Sequence, residues 1–327
     1  MRKIKIAQIG IGHDHGGLIL DSLKKQTDIF ELAGIYIPEG EKKYIEPNSK
    51  RLDGIKMLTL EEILDNPEIE AVTVETEEKS LSRYSIMAAE KGKHIHMDKP
   101  GGTELCEFEK LIEAVRRRKL VFHTGYMYRY NPELMKIKEE IKNGEFGEIY
   151  AVEAHMSGIF PQTSEKCQWL EQFKGGMMFF LGCHLVDAII GIMGVPERIV
   201  PFNKCTGIDG VTSEDYGMAV FEYKNGVSFI KTCAQETFGF SRRHIVICGS
   251  KKVIEIRPIE RYEEDGMHAY VTDFQDNVPK TRRSDAFDRY DSMMSSFAQM
   301  VCGEKENPYT YDYELAVYKA VTAACGY

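Results

Sequence analysis

The first regular element of the chain is the run Ile4-Lys5-Ile6-Ala7-Gln8-Ile9-Gly10-Ile11-Gly12, and it decides the fold of the first half. It is an apolar strand that ends in Gly-x-Gly and leads into a segment of helical spacing, residues 17–25. In dinucleotide-binding folds, the first glycine makes the tight turn and the second lets the backbone approach the pyrophosphate at the helix N-terminus. His15 stands where a third glycine is expected. The run predicts a nucleotide site, with a plain strand-turn-helix as the alternative.

Segments of strand and helix character alternate along the first 124 residues. The strand-like segments are 4–9, 30–37, 71–75, 95–97 and 120–123, and the helix-like segments are 17–25, 61–64, 80–91 and the stretch after Thr103. Thr103 is expected to cap its helix, which carries an apolar stripe from Leu105 to Val115. Alternation of this kind predicts β-α-β units and a mostly parallel sheet.

The pattern changes after Gly125. A helix is predicted over 132–142, and two hairpins are predicted around Lys224-Asn225-Gly226 and Gly249-Ser250, because each turn separates two β-rich runs. These features indicate an antiparallel sheet, followed by helices near the C-terminus. We therefore predict an α/β protein with two domains, residues 1–124 with a Rossmann-type parallel sheet and residues 125–327 with an α+β fold.

Composition and charge narrow the class of protein. The chain has 327 residues with 42 Lys and Arg against 51 Asp and Glu, a net charge of −9, which argues against nucleic acid as a partner. The apolar stretch 175–195 contains His184 and Asp187, so a membrane span is not expected. Eight cysteines without a C-x-x-C pair, and an N-terminus unlike a signal peptide, predict free thiols and a cytoplasmic protein.

Two features near the glycine turn bear on which cofactor binds, NAD or NADP, and on whether a metal binds. The acidic residue that would bind the ribose of NAD falls at Ile37, and Glu39, Lys42 and Lys43 follow, so the sequence does not choose between NAD and NADP. The run His13-Asp14-His15 resembles a metal motif, but no other ligand cluster lies near it in sequence. We interpret these histidines as loop side chains beside the cofactor and predict no metal, with a metal hydrolase as a separate hypothesis.

Four segments together carry a family resemblance. They are Asp98-Lys99-Pro100 after a strand, the run Gly-Tyr-Met-Tyr-Arg-Tyr-Asn-Pro over 125–132, Gly175-Gly176 through Gly-Cys-His-Leu-Val-Asp at 182–187, and Gly249–Val253. In that order, they resemble four features of the Gfo/Idh/MocA family, which includes glucose–fructose oxidoreductase and inositol dehydrogenase. These features are the Glu-Lys-Pro motif, the Gly-aromatic segment, the Gly-x-His-x-x-Asp helix and the turn between two sheet strands. The resemblance runs nearly from end to end.

The resemblance implies an enzyme that transfers hydride between NAD or NADP and a sugar-, cyclitol- or polyol-like substrate. It implies an open-faced, largely antiparallel C-terminal sheet, through which a homo-oligomer is expected to form. Lys99 would orient the reacting oxygen and stabilise alkoxide charge, and His184 would act as the acid or base. Further candidates for substrate binding are Tyr128, Arg129, Phe180 and Asp187, the last of which could orient His184. Candidates for cofactor binding are Gly10, Ile11, Gly12, His13, Ile37, Thr76, Lys99 and Pro100.

The sequence departs from the family pattern at three positions. Phe180 stands where the family commonly has an aspartate four residues before the histidine. The family's Thr-Pro-x-x-x-His becomes Thr76-Glu77-Glu78-Lys79-Ser80-Leu81, and the ribose-binding acid is Ile37. These departures keep two alternatives open: a lyase or glycosidase of the same family in which NAD cycles within one turnover, and a nucleotide-binding protein that has lost catalysis.

Overall fold

A five-stranded parallel sheet organises the first half of the chain. The computed structural model describes residues 1–45, 49–158, 165–274 and 278–327. The strands are β1 (Ile4–Ile9), β2 (Phe30–Tyr36), β3 (Ala71–Val74), β4 (His94–Met97) and β5 (Phe122–Thr124), in the order β2-β1-β3-β4-β5. The order reverses between β1 and β3, and at such a point a ligand crevice opens outside the carboxyl ends of the strands. The predicted parallel sheet is confirmed.

Helices connect these strands and bury the sheet. They are α1 (Gly16–Lys25), α2 (Leu60–Leu64), α3 (Leu81–Glu90) and α4 (Leu105–Arg118). Strands β1, β3, β4 and β5 are almost wholly buried, as expected for a parallel sheet covered on both faces, whereas the edge strand β2 is only partly buried. The apolar stripe predicted on α4 is present, since Phe108, Leu111, Ile112 and Val115 are all buried. These side chains share one core with Val72, Val74 and Ile95 of the sheet.

The expected cap of α4 is wrong by one residue. Glu104 is the N-cap, and no side chain caps the helix there. Glu104 has an extended backbone, with φ −115° and ψ 115°, so the helix starts at Leu105. Thr103 therefore lies one position too early for its hydroxyl to reach the amides of the first turn.

A segment distant in sequence completes the first unit. This unit comprises Met1–Met127 and Arg289–Tyr318, and the second comprises Tyr128–Asp288 and Lys319–Tyr327. Within the first unit lies α8 (Asp291–Val301), whose Asp291 Oδ1 accepts a hydrogen bond from the Ser22 hydroxyl of α1 at 2.8 Å. The boundary between the units falls inside the last helix, α9 (Tyr311–Ala324).

The second unit is built on an eight-stranded sheet. Its order is β15-β14-β11-β10-β6-β9-β8-β7, and all neighbours are antiparallel except β6 and β9. The strands of this unit are β6 (Ile149–His155), β7 (Arg198–Pro201), β8 (Tyr216–Tyr223), β9 (Gly226–Cys233), β10 (His244–Gly249), β11 (Val253–Ile256), β12 (Arg261–Glu263), β13 (Gly266–His268), β14 (Tyr270–Asp273) and β15 (Lys280–Arg283). Strands β12 and β13 form a separate pair. Both predicted hairpins are confirmed, with Lys224 and Asn225 as the two-residue turn of the first.

One face of this sheet packs against helix and the other is only half covered. The helices are α5 (Pro132–Lys142), α6 (Glu165–Leu170) and α7 (Cys183–Met193), and a π-helical turn, Met178–Gly182, leads into α7. Side chains of β8 and β10 alternate between buried and half-buried positions, the pattern of an antiparallel sheet with one open face. The expected open-faced, largely antiparallel sheet is therefore confirmed. Among the described residues, no helix has both the length and the apolar character needed to cross a membrane.

Candidate active site

The glycine turn after β1 is shaped by close contacts that exclude larger side chains. Gly10 has φ +87°, and a Cβ there would lie 2.5 Å from Cγ2 of Thr76. A Cβ on Gly12 would lie 2.8 Å from both the Glu41 carboxyl carbon and the Glu77 amide nitrogen. Such distances are shorter than any normal contact, so both glycines are required here. The turn thus has the cradle that a dinucleotide-binding site needs, and the residues present fit such a cofactor.

Glu41 occupies the centre of this turn, and sequence reasoning missed it. Its Oε2 accepts hydrogen bonds from the amides of Ile11 and Gly12 at 2.8 Å each, and its Oε1 accepts one from the Glu77 amide at 2.9 Å. Burial raises the pKa of the Glu41 carboxyl, while the three amides oppose that shift. No periodic signal marks Glu41, because it lies on a 3-10 turn, Glu39–Tyr44, and not at the strand end.

The position expected to hold the ribose-binding acid is apolar in structure as well as in sequence. Ile37 is 6% exposed and belongs to an apolar cluster with Ile11, Leu20 and Ile35. Ile11 and Ile37, which were predicted to bind the cofactor, therefore have side chains that pack in the same apolar cluster. Any contact that they make with a cofactor must come from backbone or from the apolar surface of the cluster.

A buried aspartate draws together residues from the ends of β1 and β4. Asp98 Oδ2 lies 3.2 Å from Nδ1 of His13 and 3.1 Å from Nδ1 of His15, and Oδ1 accepts the Lys99 amide at 2.6 Å. Burial opposes ionisation of Asp98, but the two histidines hold its pKa well below the ordinary value. Gly125 is also tightly placed, since a Cβ there would lie 3.1 Å from Asp98 Oδ1.

Further titratable groups lie against this aspartate. Burial, together with the charge of Asp98, raises the pKa of Glu75 well above its ordinary value. Burial lowers the pKa of His13 and of His96 to about 4 each. His96 Nδ1 lies 2.7 Å from Nδ1 of His123 on the neighbouring strand. The carboxyl edge of the parallel sheet thus holds a buried cluster in which Asp98 carries the negative charge.

Among the described residues of the first unit, the same aspartate and two histidines form the group that could hold a metal ion. Single ligand atoms of His13, His15 and Asp98 lie within 4.8 Å of one another, as do those of Glu263, Asp265 and His268 in the second unit. The positive charge of Lys99 acts on His13 and lowers its pKa further, which disfavours a second cation there. The absence of a metal remains a prediction.

Lys99 and Pro100 follow β4 directly at this edge. The Lys99 side chain is 1% exposed, and its backbone amide is held by Asp98 as described above. Gly101 and Gly102 continue with φ of +119° and +109°, so the chain turns sharply away from the strand before α4 begins. The strand end thus places a buried lysine at the edge where ligands of parallel sheets bind.

In the second unit, His184 and Asp187 lie on α7 beside residues of the 125–132 segment. The rings of His184 and Tyr128 have centroids 5.7 Å apart, and the Tyr128 hydroxyl donates to Glu260 Oε2 at 3.4 Å. The Arg129 guanidinium donates from Nε to both oxygens of Asp187, at 3.0 and 3.1 Å, and from Nη2 to Oδ1 at 2.8 Å. Asp187 is therefore engaged by a buried bidentate ion pair.

The π-helical turn changes the geometry expected around Phe180. Regular α spacing would place Phe180 and His184 on one stripe, but residues 178–182 form a wider turn before α7 starts. The Phe180 ring packs edge-on against Trp169, with centroids 5.2 Å apart. Trp169 lies on α6.

Comparison with known proteins identifies the family. A model described as "Oxidoreductase family, NAD-binding Rossmann fold" matches residues 4–126, and one described as "GFO/IDH/MocA C-terminal domain" matches residues 134–255.

The chain belongs to the Gfo/Idh/MocA family of oxidoreductases. It is an enzyme of that family with a Rossmann-type unit for NAD or NADP, as the sequence predicted.

Relatives agree with this assignment along most of the chain. The "Uncharacterized oxidoreductase ORF334" of Rhizobium meliloti is 26% identical over 278 residues, which are 80% of this chain and 79% of that protein. The "scyllo-inositol 2-dehydrogenase (NADP(+)) IolW" of Bacillus subtilis is 24% identical over 68% of this chain, and the match spans 61% of that protein. The crystal structure of an oxidoreductase (TM0312) from Thermotoga maritima has a TM-score of 0.79 at 19% identity, covering 99% of this chain and 96% of the other.

Proposed function

We propose that this enzyme oxidises a secondary alcohol of a sugar-, cyclitol- or polyol-like compound, or reduces the corresponding ketone. The observation that carries the proposal is the buried Lys99 directly after β4, held by Asp98 at the ligand-binding edge of an NAD(P)-binding sheet. The substrate class is supported by the relative from Bacillus subtilis, whose name gives an inositol as its substrate. The finer assignment of substrate and direction is part of the proposal.

Each residue proposed for the chemistry has a distinct task. The nicotinamide ring of the cofactor supplies or accepts the hydride. Lys99 donates a hydrogen bond to the reacting oxygen and stabilises its negative charge as the alcohol loses its proton. His184 takes that proton in oxidation and returns it in reduction, a role that suits the ordinary pKa range of imidazole. Asp98 supports Lys99 from behind, through its bond to the Lys99 amide.

The remaining candidates from the sequence are given supporting tasks. We assign the glycine turn, Gly10 to His13, and Thr76 to the cofactor, with Pro100 shaping the exit from β4. Tyr128 packs against His184 and is placed to limit how that ring turns. Arg129 and Asp187 hold the 125–132 segment on α7, so that Asp187 acts on His184 by fixing the position of this segment. Phe180 supplies apolar surface where the family often has an acid.

The test begins with cofactor binding and then measures turnover. NADH and NADPH are titrated into the protein, and a polyol panel is screened by nicotinamide absorbance. Lys99→Met and His184→Asn are each expected to lower kcat at least about tenfold, since general acid-base catalysis contributes roughly 10²–10⁴-fold and one electrostatic donor roughly 10²–10³-fold. Matched controls are Lys110→Met on the exposed face of α4 and His244→Asn on β10, which should retain wild-type turnover. Unchanged turnover in the Lys99 and His184 variants would remove their assigned roles.

The same experiment separates the two alternatives. A lyase or glycosidase that uses NAD within each turnover consumes substrate with no net change in nicotinamide absorbance. A protein that has lost catalysis binds the cofactor but turns over no substrate, and Lys99→Met then has no activity to change. Product analysis beside the absorbance trace distinguishes all three outcomes.

We also propose that residues 1–124 bind the cofactor and that residues 125–327 bind substrate and join subunits. The open sheet face supports a homo-oligomer, because Met218, Val220 and Val246 are only half buried on it. Light scattering after size-exclusion chromatography should show an oligomer, and Val246→Lys should shift it toward the monomer. None of the eight cysteines forms a disulfide in the structure, and we propose a reducing compartment such as the cytoplasm.

A further inference from the structure

The carboxylate of Glu41 links the two strand ends that border the expected nucleotide crevice. Its oxygens accept the amides of Ile11 and Gly12 after β1 and the amide of Glu77 after β3. The Glu41 side chain is only 3% exposed, and its own amide donates to the Pro38 carbonyl at 2.9 Å. That turn brings a carboxylate, four residues beyond Ile37, to the amides of the glycine turn.

Most of the hydrogen-bond acceptor positions of the Glu41 carboxylate are already occupied. An ionised carboxylate can accept about four hydrogen bonds, and three backbone amides already donate to Glu41. One acceptor position is left, which suits a hydroxyl donor such as the ribose of NAD. A phosphate carries about −1.5 to −2 charge and has only acceptors to offer, so it meets repulsion at this position.

The cations near the turn are engaged with acids. Lys42 pairs with Glu39 at 2.6 Å, and Lys43 and Lys79 each pair with Glu77 at 3.0 Å. Lys42 and Lys43, together with the missing acid at Ile37, were the reason that the sequence left NADP open. In the structure their partners are carboxylates on the same side of the sheet, which offset the attraction that an additional phosphate would feel.

We propose that Glu41 makes this enzyme selective for NAD(H) over NADP(H), by accepting a ribose hydroxyl and repelling a 2′-phosphate. The proposal rests on the proposed function, because it assumes that a nicotinamide dinucleotide binds at the glycine turn. It differs from the preference that the name of the Bacillus subtilis relative states, which is NADP(+). Glu41 thereby takes over the task that Ile37 cannot perform.

The test measures binding and not activity. Dissociation constants for NADH and NADPH are determined by nicotinamide fluorescence for the wild type, Glu41→Gln and Glu41→Ala. We expect NADH to bind the wild type at least about tenfold more tightly than NADPH. Glu41→Gln should reduce that ratio at least about fivefold, chiefly by strengthening NADPH binding. Glu68→Gln is the matched control, because Glu68 is an exposed acid of the same unit that pairs with Lys5 near the start of β1, at the opposite end of the sheet from the glycine turn.

Three results would overturn the proposal, and they can be told apart. Equal or tighter binding of NADPH by the wild type contradicts selectivity directly. Equal strengthening of both cofactors in the Glu41 variants shows that the carboxylate only occupies the crevice and competes with any dinucleotide. Binding of neither cofactor removes the proposed function together with the selectivity.

A second measurement does not depend on the folding of any variant. AMP and adenosine 2′,5′-bisphosphate are compared as competitors of NADH on the unaltered protein. AMP should displace NADH at a concentration at least about tenfold lower, because only the bisphosphate brings a phosphate to the ribose 2′ position. Equal potency of the two competitors would contradict the proposal.

Discussion

Breaking the ion pair between Arg129 and Asp187 should destabilise the second unit more than any other single change proposed for this protein. Both side chains are almost fully buried, and three hydrogen bonds of 2.8 to 3.1 Å join them. Arg129→Met keeps a long apolar side chain but leaves the Asp187 carboxylate buried without its guanidinium. Removal of one partner from such a pair costs about 3–5 kcal/mol, because the remaining buried charge loses the counterion that was hydrogen-bonded to it.

The double variant distinguishes two contributions to the free energy of unfolding. One is the penalty for burying a charge without its partner, and the other is the net stabilisation by the ion pair. Arg129→Met with Asp187→Leu replaces both charges by apolar side chains of similar length. Such replacements are often neutral or mildly stabilising, so the double variant should be closer to the wild type than Arg129→Met alone. The coupling between the two positions is the quantity that identifies a direct ion pair.

Urea unfolding provides the assay, and the chain contains its own probe. Trp169 is the single tryptophan and packs against Phe173 and Phe180, so its fluorescence reports the second unit. With a slope of about 2 kcal/mol per molar urea, a loss of 3–5 kcal/mol lowers the midpoint by about 1.5–2.5 M. A loss below about 1 kcal/mol in Arg129→Met, or a double variant as unstable as the sum of the single ones, would refute the reasoning.

Two further predictions concern the first unit. Gly10→Ala should weaken NADH binding at least about tenfold, because its Cβ would meet Thr76 and its backbone has φ +87°. The control is Gly144→Ala, where φ is +77° and the space around the position is open. It should lower the free energy of unfolding by only the left-handed backbone penalty of about 1 kcal/mol and leave NADH binding unchanged. Burial lowers the pKa of His96 to about 4, below the unfolded value near 6.5, so the unfolded chain binds the extra proton and stability falls as pH drops from about 6.5 toward 4. His96→Asn should therefore reduce the difference in unfolding free energy between pH 7 and pH 5 by about 2 kcal/mol. The measurement is urea unfolding followed by circular dichroism. An identical pH dependence in the variant and the wild type would contradict a neutral buried His96.

The local predictions held where neighbouring residues alone set the conformation. The strand that ends at Gly10, the helix Pro132–Lys142 and the turn at Lys224-Asn225 were all predicted from short patterns. In each case the determining interactions join residues close in sequence, such as the Asn131 side chain that accepts two amides at the start of α5. Strands β12 to β15 escaped prediction because they are short and lack a clear alternation.

The candidate site was predictable in its motifs and not in its partners. Lys99 and His184 were identified through the family resemblance, and their catalytic roles remain predictions. The bond between Asp187 and Arg129 joins residues 58 positions apart, so spacing along α7 could not reveal it. The π-helical turn at Met178–Gly182 likewise could not be read from residue spacing, since it interrupts regular α geometry directly before α7.

The sequence by itself determined the parallel sheet, the glycine turn and the antiparallel hairpins, because hydrophobic periodicity and turn chemistry act over a few residues. Only the tertiary structure decided which acid serves the glycine turn. Glu41 lies 30 residues beyond Ile11, and three backbone amides from two strand ends select it. Buried amides and charges must find partners wherever the fold brings a suitable group, and that choice is made across the sheet and not along the chain.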